Sequence, residues 1–117
     1  NAGNWPAYVL DAQGNTTHEL RTGGVPIGLD QQFKLDPFEP IKLEPGSMVV
    51  FLTDGIPEAH DVLDKEYGLQ RMFSVITENR LAPASEIIQR VRQDVLEFCG
   101  AAEQEDDQTI VICKRLQ

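Results

Sequence analysis

The stretch Met48-Val49-Val50-Phe51-Leu52-Thr53-Asp54-Gly55-Ile56-Pro57-Glu58-Ala59 sets the frame for the whole chain. Its first five residues are apolar and lack the alternation of a half-solvated strand. That predicts a strand covered on both faces and central in its sheet. The run ends on an acid, Asp54; Gly55 then lets the backbone turn, and Pro57 cannot continue a hydrogen-bonded ladder. A carboxylate at the exposed end of a buried strand is a common position for a hard-cation ligand.

Upstream of this strand, Glu44-Pro45-Gly46-Ser47 places Pro and Gly at the central positions of a type II turn. Before the turn, Phe33 and Leu35, then Ile41 and Leu43, alternate with polar residues and predict half-buried strands, with Pro37 and Pro40 as breaks between them. Thr22 to Leu29 is Gly-rich, but no Lys follows the glycines and no amphipathic helix opens after them, so neither nucleotide-binding fingerprint is met. Nearer the start, Tyr8 to Leu10 and Thr16 to Leu20 read as a hairpin around the turn cluster Asp11 to Asn15. His18, between Thr17 and Glu19, reads as a solvent-facing strand residue.

Downstream, His60 to Gly68 is a charged loop. Leu69, Met72, Phe73 and Ile76 then recur at helical spacing, predicting an amphipathic helix that ends near Asn79. A second helix has Pro83 in its first turn, carries Ile87, Ile88, Val91, Val95 and Phe98 on one face, and closes at Gly100. An acidic loop, Glu103 to Gln108, leads into a second apolar strand, Thr109 to Cys113.

Composition narrows the function classes. The chain has 117 residues, enough for one unit with its own core. Its 10 Lys and Arg against 19 Asp and Glu give a net charge of −9 with no basic cluster, which argues against nucleic acid as a partner. No apolar run approaches the length of a membrane span and no signal peptide is evident, so the cytoplasm is the expected compartment. Cys99 and Cys113 form no C-x-x-C pair and read as reduced core thiols. The first residues run directly into a strand pattern, as if the chain begins within a fold.

The two apolar strands each carry acids at one end: Asp54 after the first, Asp106 and Asp107 before the second. Were the strands antiparallel neighbours, these carboxylates would meet at one edge of the sheet. Converging carboxylates repel unless a proton or cation separates them, and Mg²⁺ or Mn²⁺ suits an all-oxygen donor set. Acids at strand ends are also common as plain solvated residues, so spacing alone leaves both readings open.

Phe51 to Ala59, Tyr67-Gly68-Leu69-Gln70-Arg71 and Asp106-Asp107-Gln108-Thr109-Ile110-Val111 together resemble the C-terminal half of a metal-dependent PPM-type serine/threonine phosphatase domain, and most closely its bacterial SpoIIE-like branch. Asn1-Ala2-Gly3, Gly24-Val25-Pro26-Ile27-Gly28 and Leu43 to Ser47 fit the same branch in the same order. The resemblance implies an α+β fold, part of a four-layer α-β-β-α sandwich of mostly antiparallel strands, with two helices near the C-terminal end. It implies that residues 1–117 form a single unit, the C-terminal portion of the domain, with the N-terminal half absent. It also implies a two-metal Mg²⁺ or Mn²⁺ centre hydrolysing phosphoserine or phosphothreonine on a bacterial regulatory protein, such as an anti-sigma-factor antagonist, with water and no protein nucleophile.

Asp54 resembles the metal ligand of the family's Thr-Asp-Gly segment and Asp106 that of its Asp-Asp-x-Thr segment, with Asp107 as a neighbouring ligand and Gly55 shaping the site. Glu58 and His60 read as loop residues. The family's Asp-x-x-Gly-His-Gly segment, whose Asp resembles a bridge between the metals, has no counterpart here. The isolated chain is therefore expected to be inactive, with the missing half or a second copy covering apolar sheet edges. The alternative reading is a non-catalytic interaction or self-association module built on the same fold.

Overall fold

A computed structural model describes residues 5–21 and 39–116. In chain order its elements are β1 (Ala7–Leu10), β2 (Thr16–Leu20), β3 (Met48–Leu52), α1 (Leu69–Glu78), α2 (Ala84–Cys99) and β4 (Ile110–Lys114). The strands form one antiparallel sheet in the order β2-β1-β3-β4. The expected hairpin, both helices and both apolar strands are therefore present, and the fold is α+β.

Strand β3 is interior, as its composition predicts, but the described residues fully cover only one of its faces. Its residues alternate. Met48, Val50 and Leu52 are buried, and they register with Leu10 and Tyr8 on one side and Ile112 on the other. This face receives the helices: Met72 and Ile76 of α1 and Ile87, Val91 and Val95 of α2 complete the core. Full burial of each such side chain stabilises the fold by roughly 1.5–3 kcal/mol. Tyr8 and Phe73 meet edge to face, with ring centroids 5.0 Å apart.

The opposite face opens progressively across the sheet. Val9 is buried and Val49 half-buried, but Phe51 and its cross-strand partner Val111 are 47% and 48% exposed. An unbroken apolar run thus marks β3 as central without meaning that the described residues cover both its sides. The same alternation corrects the reading of Cys113: one residue beyond Ile112, it is exposed rather than a core thiol. Cys99 is half-buried against the core and, like Cys113, free.

Gly46, at φ 84°, and the bond from the Ser47 amide to the Glu44 carbonyl (3.0 Å) fit the expected type II turn before β3. Ile41 and Leu43, expected in a strand, lie in irregular backbone and are half-buried. Both neighbours of β3 are already taken, and the Leu43 carbonyl accepts from the Arg115 guanidinium instead of a ladder. Residues 22–38, with the Gly-rich segment and Phe33 and Leu35, lie outside the described residues, as do Asn1, Ala2 and Gly3. His18 is exposed on β2, as read. The hairpin turn is tied to α1 where the Thr77 hydroxyl donates to the Gly14 carbonyl at 3.0 Å. Among the described residues no helix is long and apolar enough to cross a membrane.

Candidate active site

The two acid-bearing strand ends meet. Because β3 and β4 are antiparallel and pair from Met48 and Lys114 through to Leu52 and Ile110, the exit of one lies beside the start of the other. Beyond the last pair the chains stay joined: the Thr53 amide donates to the Thr109 carbonyl at 3.1 Å. The Thr53 hydroxyl donates to the Asp107 carbonyl at 3.0 Å, while the Thr109 amide donates to that same hydroxyl at 3.0 Å. Thr53 thus replaces one rung of the ladder and holds the 106–109 segment against the turn that carries Asp54.

Gly55 makes the approach closer still. A Cβ at this position would lie 2.4 Å from the Asp107 carbonyl oxygen and 3.0 Å from its carbon, inside any tolerable contact. Both obstacles are backbone and cannot swing aside, so only glycine fits. The turn is closed by the Glu58 amide donating to the Asp54 carbonyl at 2.9 Å.

Asp54 is half-buried, whereas Asp106 and Asp107 are exposed. The Asp106 carboxylate accepts the Asp107 amide at 2.7 Å; those of Asp54 and Asp107 have no hydrogen bond or ion pair with any described residue. Their oxygen chemistry suits a hard divalent cation, and the Gly55 cradle brings their backbones together. The number of donors is short, however: among the described residues no group of three His, Cys, Asp or Glu side chains stands close enough to hold a metal. The described residues therefore bring the Asp54 turn and the Asp106–Asp107 segment together without completing a three-donor group.

Glu58 and His60, read as loop residues, lie on this turn and line a groove of about 320 Å³ together with Gly55 and Asp106. His60 also forms an isolated bridge with Glu66, closing the loop between them.

Behind this edge stands a side-chain network that sequence reasoning did not assemble. Tyr67 donates to Asp94 at 2.8 Å, and Arg71 grips the same carboxylate with two bonds of 2.7 and 2.9 Å. The guanidinium lies over the rings of Tyr67 and Phe98, at 5.5 and 5.1 Å from their centroids. Hydrogen bonds from Arg71, against a smaller opposing effect of burial, hold Asp94 below the usual carboxylate range. Burial, and then the bond to Asp94, push the Tyr67 phenol upward, so it stays a donor. The signal was present: Tyr67 and Arg71, and Asp94 and Phe98, are each four residues apart, but only folding pairs the two sets.

Comparison with known proteins follows the same lines. Residues 1–116 match the family model described as Stage II sporulation protein E (SpoIIE). Protein IcfG of Synechocystis sp. is 28% identical over 117 residues, which are 98% of this chain and 18% of that protein. Phosphoserine phosphatase RsbU of Bacillus subtilis is 26% identical over 118 residues, 98% of this chain and 33% of that protein. The chain thus spans 18% and 33% of the lengths of these curated relatives. Among solved structures, the SiaA-PP2C domain of Pseudomonas aeruginosa is similar with a TM-score of 0.75 at 23% identity, over 93% of this chain and 42% of that one. At that identity the likeness shows the fold.

Proposed function

The chain belongs to the SpoIIE family and has the fold of PP2C-type phosphatase domains, and from that premise we propose that it supplies metal ligands for hydrolysis of phosphoserine or phosphothreonine on a cytoplasmic regulatory phosphoprotein. Asp54 and Asp106, with Asp107 beside them, would hold Mg²⁺ or Mn²⁺, which when bound supplies Lewis-acid stabilisation of phosphoryl oxygens and acidifies water. The chain's own part is positional. Thr53 fixes the Asp106–Asp107 segment against the Asp54 turn, Gly55 admits the close approach, and the carboxylates of Asp54, Asp106 and Asp107 would hold the cation. The observation that carries this reading is the meeting of the two strand ends through Thr53 and Gly55.

A donor group incomplete among the described residues goes with a chain that spans a third or less of its curated relatives. The remaining ligands would come from the rest of the domain, so residues 1–117 alone should show little hydrolysis. The exposed Phe51 and Val111 favour a related statement: this sheet face is covered by the rest of the domain or by a second copy.

Mn²⁺-dependent dephosphorylation of a phosphoprotein by the full-length protein tests the reading. Asp54→Asn should lower the rate more than about 100-fold, the upper end of what losing a mere outer partner of a metal ligand costs. Unchanged activity in that variant would overturn the assignment.

A further inference from the structure

We propose that the groove beside the carboxylate edge docks a basic segment of the phosphoprotein substrate through an apolar anchor; this rests on the phosphatase reading of the edge itself. The groove lies between the turn after Asp54, the last turns of α2 and the 100–108 segment. Its apolar lining comes from Ala59, Val95, Leu96, Cys99 and Ala102. Leu96 follows the buried Val95, so helical rotation turns it away from the core, and it is 60% exposed.

Glu58, Glu103, Glu105 and Asp106 line the same groove with carboxylates; His60 lines it too, and no Lys or Arg does. Apolar side chains interleaved with such carboxylates complement arginine or lysine, whose methylene stem packs on the former while its head meets the latter. A phosphoryl group would be repelled from Glu103 and Glu105, so this part of the groove and the edge take different parts of one substrate. Gly55 and Asp106 belong to both, and a segment in the groove runs directly into the edge where the phosphoryl group would sit. The acidic run from Glu103 to Asp107 thereby divides into a docking part and a ligand part.

Fluorescence anisotropy on the full-length protein tests this with unphosphorylated peptides of alternating arginine and leucine, or of glutamine and leucine as the control. The arginine peptide should bind at least about tenfold more tightly at low salt and lose that advantage as salt is added. The double variant Glu103→Gln/Glu105→Gln should lose the advantage, and Leu96→Asn should weaken both peptides alike. Equal affinity for the two peptides, or an advantage that survives the double variant, overturns the proposal. Hydrolysis of a small aryl phosphate, which does not reach the groove, should be unchanged in the double variant. Its absence from the parent protein would instead sink the phosphatase reading, while the peptide titration still decides what the groove binds.

Discussion

Two of the places where distant segments of this molecule are joined are made of different material. At the Asp94 network, side chains satisfy one another: Tyr67 and Arg71 occupy the carboxylate, and the Tyr67 and Phe98 rings lie against the guanidinium. At the Asp54 edge the joining is done by backbone groups, the Thr53 hydroxyl and the absence of a side chain at Gly55. The carboxylates of Asp54 and Asp107 take no part in it. A carboxylate consumed by internal partners stabilises; one left over where the chain has been held in place by other means is available for chemistry. The contrast separates Asp94 from the candidate ligands Asp54 and Asp107, while the Asp106 carboxylate accepts only the amide of its neighbour Asp107 among the described residues.

Substitutions on either side can break or sharpen that contrast. The largest effect is expected for Gly55→Ala, because the new methyl would collide with the Asp107 backbone. It should destabilise by about 3 kcal/mol, the upper range for overpacking, seen as a lower denaturation midpoint together with lost activity. Asp54→Asn, by contrast, should abolish activity while shifting stability by less than about 0.5 kcal/mol, as for a side chain with no partner among the described residues. A large loss of stability in that variant would erase the distinction drawn above.

Asp94→Asn should do the reverse, lowering stability by about 2 kcal/mol at neutral pH through weakened charge-assisted bonds. The sign of its pH dependence follows from the lowered Asp94 value. The contribution is complete above the ordinary carboxylate value of about 4 and is lost as pH falls through the depressed one. Chemical denaturation of parent and variant should therefore converge at acid pH. A difference constant with pH would show that packing, not charge, holds the two helices there. The smallest effect, about 1 kcal/mol, is expected for Thr53→Val, with Thr53→Ser restoring most of it. Amide exchange at Thr109 reads that change directly.

Much of this arrangement is legible in the amino-acid order. The helical spacing of Leu69, Met72, Phe73 and Ile76 and of Ile87, Val91 and Val95 marks both helices, since a helix buries a stripe. Pro45-Gly46 marks the turn before β3, and Asp54 and Asp106 were identifiable as acids at strand ends. Less legible was whatever depends on two segments at once. Ile41 and Leu43 alternate like a strand, but they lie in irregular backbone and the Leu43 carbonyl is taken by the Arg115 guanidinium. Val111 and Cys113 look as apolar as Ile112 but face the other way.

By itself, then, the sequence determined the elements, the centrality of β3 and the types of group available at its end, because periodicity and turn chemistry are local properties. Only tertiary structure decided which acid is spent on the fold and which is left over. It also decided that Glu103, Glu105 and Asp106 line a groove, and that the position after Asp54 must be glycine. Each of those outcomes is a distance between residues far apart in the chain, set by the antiparallel register of β3 on β4 and by the packing of α2 against them.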